Sequence, residues 1–186
     1  MRLQRGDEWA FQLLVRRFRE KIFSVAFGIT LDAEESRDIV QDVFFQVYRR
    51  IVHFRGDASL STWLHRITVN HSLNWKRRWA RRFKWLGKVG DNGSRATEEE
   101  PISDLPSPEK RVVDAQTGKL IDRAMKKLPD QARTVFVLRE LEGLSYEEIA
   151  YATGIKIGTV RSRLFHARRQ LRALINTMEQ ETGNDQ

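Results

Sequence analysis

Apolar residues recur at spacings of three and four along most of this chain, the period of helices rather than strands. A first helix is predicted from about Asp7 to Thr30, with Phe11, Leu14, Val15, Phe18, Ile22 and Phe23 on one face. A second is predicted from about Ala33 to His53, carrying Ile39, Val40, Val43, Phe44, Val47, Tyr48 and Ile51. A third follows Phe54-Arg-Gly-Asp-Ala-Ser-Leu-Ser, with Ser61 as its expected N-cap, and runs through Trp79; Trp63, Leu64 and Ile67 supply its core side. The period lapses between Gly87 and Pro108, where three of the four prolines fall, and this composition predicts a flexible linker. It resumes in Val112 to Lys127, Pro129 to Leu141, Tyr146 to Thr153 and a long helix from Gly158 to about Met178. The expected fold is therefore all-α: two small helical domains, 1–86 and 115–180, joined by a linker over 87–114, with a disordered tail at 181–186.

Charge sharpens this layout. The net formal charge is +8, which favours nucleic acid or another anionic surface as partner. Ala58 to Gly90 holds eight bases and no acid, and Ile149 to Met178 six bases and no acid. Asp91 to Asp114, between them, holds seven acids against three bases, so two basic surfaces flank an acidic spacer. No cysteine is present, which excludes disulfides and thiolate zinc sites. The histidines His53, His65, His71 and His166 are scattered and predict packed or solvated side chains rather than a metal site. No run of residues is apolar enough to span a bilayer, and Met1 to Asp7 has no apolar signal core.

The C-terminal half carries the most specific local signal. Ser145-Tyr-Glu-Glu148 is a capping box, in which hydroxyl and carboxylate satisfy each other's exposed backbone donors. Gly154 stands where a turn between two helices needs positive φ. Val160, Leu164, Ala167, Leu171 and Leu174 then form one apolar stripe, and Arg161, Ser162, Phe165, His166, Arg169 and Arg172 the opposite face. This is a helix-turn-helix: a short polar and aromatic set suits base edges in a major groove, and further arginines suit phosphates. The alternative is a solvated basic helix with one stray aromatic.

In the N-terminal half, Asp38, Gln41, Asp42 and Phe45 fall at i, i+3, i+4 and i+7. A phenylalanine among carboxylates suggests a protein partner with basic and apolar groups, although the residues alone leave a solvated acidic face equally open. On the third helix Arg66, Asn70, Asn74, Arg77, Arg78 and Arg81 make a second stripe. Asparagine is a poor helix former, so two of them inside a basic stripe suggest amide contacts to bases. Trp75, Trp79, Phe83 and Trp85 interleave with this run, either stacking on unpaired bases or serving as core and linker contacts.

These residues together resemble a known family. Asp38-Ile-Val-Gln-Asp-Val-Phe-Phe-Gln-Val-Tyr, Phe54-Arg-Gly and Ser61-Thr-Trp-Leu-His-Arg-Ile-Thr-Val-Asn70 resemble region 2 of the bacterial sigma-70 family. Leu128-Pro-Asp-Gln-Ala-Arg-Thr-Val-Phe-Val-Leu-Arg-Glu-Leu-Glu-Gly-Leu-Ser-Tyr-Glu-Glu-Ile-Ala and Gly158-Thr-Val-Arg-Ser-Arg-Leu-Phe-His-Ala-Arg resemble region 4. Order and size resemble the extracytoplasmic-function group, which keeps only those two regions. The resemblance implies a promoter-specificity subunit of RNA polymerase, cytoplasmic, with no cofactor and no enzyme activity of its own. It implies that Asp38, Gln41, Asp42 and Phe45 dock on the β′ clamp helices of core polymerase, and that region 4 meets the β flap. It implies that Arg55, Arg66, Asn70, Asn74, Arg77 and Arg78 melt and read the −10 element. Arg139, Arg161, Ser162, Phe165, His166 and Arg169 would read the −35 element as duplex. It also implies an anti-sigma factor as a further partner. The chain departs from the pattern at His166, where relatives often carry Arg, and at Ile155-Lys-Ile157, which lacks the usual small capping residue and proline.

Two other classes fit less of the sequence. A self-sufficient regulator with this helix-turn-helix would need a sensory N-terminal domain. A recombinase or nuclease would need a phosphate-cradling glycine loop, a metal cluster or a nucleophile beside a base, and the sequence offers none of these.

Overall fold

The computed structural model describes residues 2–86, 118 and 120–183. All the regular elements among them are helical. The predicted linker 87–114, the start of the expected helix at 112–117 and the last residues 184–186 lie outside the described residues.

The first helix, α1, spans Glu8–Thr30; the Asp7 carboxylate caps it, accepting from Ala10 N at 3.1 Å. It ends at Leu31, which takes φ 59°, a left-handed cap conformation that usually falls to glycine. The second, α2, spans Ala33–Arg50, capped by Asp32, with Glu34 and Glu35 in its first turn and Arg49 and Arg50 in its last, matching the helix dipole. A 3-10 turn over Ile51–His53 completes the stretch predicted as one helix.

Helix α3 spans Leu60–Leu86, longer than predicted. Its N-cap is Ser59 rather than the expected Ser61: Ser59 Oγ accepts from Thr62 N at 3.0 Å, and Ser61 already lies inside the helix. Both are serines in a run that alternates polar and apolar, so only the backbone geometry separates them.

In the C-terminal half, α4 covers 120–127, α5 Asp130–Glu140, α6 Tyr146–Thr153 and α7 Ile157–Gly183. Helix α7 thus starts one residue before Gly158 and continues into the expected tail.

Each half builds a core from the predicted stripes. Leu14, Ile22, Ala26, Ile39, Val40, Val43, Phe44, Val47, Leu64 and Ile67 pack together at the centre of α1, α2 and α3. Ala124, Met125, Leu128 and Leu171 pack with Val137. Each such side chain contributes roughly 1.5–3 kcal/mol by leaving water.

Sequence periodicity does not show that the halves share a third core. Val25, Ile29 and Val69 from α1 and α3 are buried among Val135, Leu138, Leu144, Ile149, Ala152, Val160 and Leu164. Helix α1 packs on α5, and α3 on α6. Gly28 sits at the crossing with α5, where a Cβ would lie 2.8 Å from a Val137 methyl.

Candidate nucleic-acid interface

The helix-turn-helix forms as its local chemistry dictates. Ser145 Oγ accepts from Glu148 N at 3.1 Å, and Glu148 Oε2 accepts from Ser145 N at 2.9 Å, which closes the capping box. These bonds, with the Thr62 hydroxyl, hold the Glu148 carboxyl below its ordinary range. Gly154 ends α6 at φ 72°, its N–H bonded to Ala150 O. Val160, Leu164, Ala167 and Leu171 of α7 are buried.

The opposite face of α7 is open. Arg161, Ser162, Phe165, His166 and Arg169 are all exposed, and Phe165 is 61% accessible with its ring against His166. An apolar ring that exposed on a basic helix implies a covering partner. Arg139 differs from the other predicted readers of this group. It is half-buried, and its Nη1 donates to Leu144 O at 2.7 Å, so it braces the turn between α5 and α6. Arg139 and Arg161 both lie over the Tyr146 ring, at 5.3 and 5.8 Å. In the sequence Tyr146 is marked only as part of the capping box, and nothing local signals its ring contacts with the two arginines.

On α3 the structure brings Arg66, Asn70, Asn74, Arg77 and Arg78 to the surface. Asn74 Oδ1 accepts from Arg77 Nη2 at 2.6 Å, so one amide of the stripe orients a guanidinium. Arg55 is exposed in the loop before α3, beside Gly56 at φ 79°. Trp75 packs toward the core, whereas Trp79 is 46% accessible and tilts against Trp75 at 6.4 Å. The side chains of Phe83 and Trp85 lie outside the described residues. Two groups on this helix face the other half instead: Arg66 lies 4.9 Å over the Tyr151 ring, and Lys76 Nζ is 3.4 Å from Asp130. Burial, with Arg133 nearby, lowers the Lys76 pKa against the pull of Asp130.

On α2, Asp38, Gln41, Asp42 and Phe45 share one exposed face, and Arg49 lies 5.5 Å over the Phe45 ring. His71 of α3 reaches this face, with Nδ1 3.8 Å from Asp42 and Nε2 against Gln46. Burial lowers its pKa, and Asp42 opposes the shift. No local pattern signals this link, because the two residues meet only through the packing of α2 on α3. The remaining buried histidine, His65, is held neutral, its pKa lowered to about 4 by burial and Lys21 against the pull of Glu148. Among the described residues no group of His, Asp and Glu could hold a metal ion, and no helix is long and apolar enough to cross a membrane.

Residues 14–82 match the family model for sigma-70 region 2, and residues 118–171 the model for sigma-70, region 4. The RNA polymerase sigma-H factor of Pseudomonas aeruginosa is 36% identical, over 90% of this chain and 86% of the relative. The ECF RNA polymerase sigma-E factor of Escherichia coli is 35% identical, over 90% of this chain and 87% of its own. Among solved structures, the sigma factor RpoE, in complex with the anti-sigma factor NepR from Bartonella quintana, superposes with a TM-score of 0.71 at 23% identity. That match covers 90% of this chain and 97% of the other. CnrH, in complex with the cytosolic domain of CnrY, superposes at 0.64 and 23% identity, covering 95% and 94%. With both regions matched in order and close relatives aligned over most of its length, this chain belongs to the extracytoplasmic-function group of the sigma-70 family, RNA polymerase sigma factors that act in promoter recognition and transcription initiation.

Proposed function

We propose a division of labour between two helices. Helix α7 reads the −35 element as duplex through Arg161, Ser162, Phe165, His166 and Arg169. Arg139 supports it from behind by fixing the turn before α6. Helix α3, with Arg55 in the loop before it, opens and reads the −10 element through Arg66, Asn70, Asn74, Arg77 and Arg78. Pulling a base from the stack costs a few kcal/mol, and a basic track with amide groups offers that strand charge and base contacts. The α2 face of Asp38, Gln41, Asp42 and Phe45 docks on the β′ clamp helices of core polymerase, and the C-terminal half meets the β flap.

The observation that carries this reading is the exposed face of α7, a basic surface with one uncovered aromatic ring on a helix-turn-helix. The chain acts as a subunit and performs no chemistry of its own, and it works in the cytoplasm. An anti-sigma factor, as in the Bartonella quintana complex, belongs to the same reading.

The test is transcription from a linear promoter by core polymerase with and without the chain. Initiation that depends on the chain is expected, and Arg161→Ala should reduce it on promoters with a −35 element. Initiation indifferent to the chain would overturn the reading.

A further inference from the structure

We infer that Gln4, on the turn before α1, is a positioning residue for the −10 strand: it fixes the start of the loop that carries Arg55 and so sets how selectively that loop meets its bases. The loop has little of its own to hold it. Arg55, Gly56, Asp57 and Ala58 form no regular element, and the first three are exposed. Gly56 takes φ 79°, and nothing lies within 4 Å of the place a Cβ would occupy. A stretch with glycine's backbone freedom and no packing at that point has many conformations to lose when it binds. Its restraint therefore comes from the grip on its two ends.

The downstream end is held locally. Ser59 Oγ accepts from Thr62 N at 3.0 Å, Ser59 O accepts from Trp63 N at 3.0 Å, and Leu60 and Trp63 pack against the core of the N-terminal half. The upstream end, Phe54, is held at three points. Its N–H donates to Ile51 O at 3.1 Å, and its ring lies 5.2 Å from that of Trp63. Its carbonyl accepts from Gln4 Nε2 at 2.9 Å, across a separation of 50 residues. This third contact differs in kind. The Phe54 carbonyl and the Arg55 N–H belong to one planar peptide unit. The bond from Gln4 thus sets the ψ of Phe54, 113°, and with it the direction in which Arg55 leaves the turn. The other two contacts fix where Phe54 sits and leave that rotation free.

Gln4 can do this because its own backbone is braced. It lies in the middle of a 3-10 turn, Leu3–Arg5, closed by Gly6 N–H on Leu3 O at 3.2 Å. Leu3 packs against the core, and the turn rests on Ile51–His53. Asp7 caps α1 directly afterwards. So short a 3-10 helix has little stability of its own, and what it packs on keeps it ordered. A turn that only covered the core would need Leu3 alone. The half-buried amide of Gln4 adds a directed bond to the one peptide unit that leads into the loop. A loop aimed in advance pays less to bind, and it favours the bases that fit its aim.

The inference rests on the role proposed above for Arg55, and the test keeps the two apart. Gln4→Met keeps the length of the side chain and removes the donor. In the full chain, backbone amide relaxation should show the order parameters of Arg55 to Ala58 falling from the rigid toward the flexible range, with the urea midpoint close to that of the unsubstituted chain. Core polymerase carrying each chain is then presented with pre-melted promoter templates randomised over the −10 region, and the bound fraction is sequenced. Gln4→Met should lower the preference for the favoured bases about fivefold, the scale of one hydrogen bond, and Arg55→Ala should lower it at least as far. Unchanged order parameters would overturn the positioning role. So would an unchanged preference in Gln4→Met beside a lowered one in Arg55→Ala, or a preference that falls only in step with the urea midpoint. Order parameters that fall while neither substitution alters the preference would instead overturn the assignment of Arg55 and leave the grip on Phe54 standing.

Discussion

Helices α7 and α3 are both long, basic and amphipathic, yet the fold treats them differently. The outward face of α7 is open along its length from Arg161 to Arg169. The basic side chains of α3 are divided: Arg77 and Arg78 are exposed, Arg66 is exposed but lies over the Tyr151 ring, and Lys76 is half-buried against Asp130. On the proposed roles, a duplex reader is served by a rigid exposed helix, and a strand reader by a helix that is itself buttressed by the other half of the chain. Similar composition thus supports different availability, set by what each helix packs against.

The largest expected effect breaks the scaffold of the first helix. Leu164 is 1% accessible beneath the exposed face of α7. Leu164→Ala should cost about 2–5 kcal/mol, seen as a lower midpoint in urea or heat, and duplex binding should fall with it. Unchanged stability would mean that α7 does not rest on this core.

A pH effect of roughly 2 kcal/mol between pH 7 and pH 5 probes the junction between the two halves. His65 is held neutral, its pKa lowered to about 4 from an ordinary 6.5. Above pH 6.5 the group is neutral in both states and its contribution to stability is full. Between 6.5 and 4 the unfolded chain binds a proton that the folded chain refuses, so stability falls as pH falls. Unfolding by urea at pH 7 and pH 5 should show this loss, and His65→Phe should flatten it. A pH response that persists in the variant would place its origin elsewhere.

Smaller effects sharpen the division of roles. Arg161→Ala should weaken −35 duplex binding by about 1–3 kcal/mol, the scale of one lost base or phosphate contact, measured by titration with labelled duplex. Loss of −10 strand binding to the same degree would contradict the assignment of roles. Ser145→Ala removes one half of the capping box and should cost about 1 kcal/mol of stability. Its effect on duplex binding should be no larger, because the contact face lies on α7.

How much of this was legible in the sequence depended on how local each signal was. The capping box at Ser145, the turn at Gly154 and the Val160 to Leu171 stripe each involve residues within one or two turns, and the structure reproduces them. The Ser59 cap was missed because Ser61 carries the same chemistry two residues later. The pairing of His71 with Asp42 and the burial of Val25 by α5 depend on helices distant in sequence. Periodicity marks that a face is apolar and does not say which partner buries it. Val25 and Ile29 stand outside the apolar face predicted for α1, and the fold places them at the junction.

The proposed separation of strand opening from duplex reading is tested most directly at Asn70, which is exposed on α3. The measurement is open-complex formation by core polymerase carrying the Asn70→Ala chain, on a fully duplex promoter and on the same promoter with its −10 region already unpaired. The account predicts a marked loss on the duplex and a much smaller one on the pre-melted template. Equal losses on the two templates would contradict it.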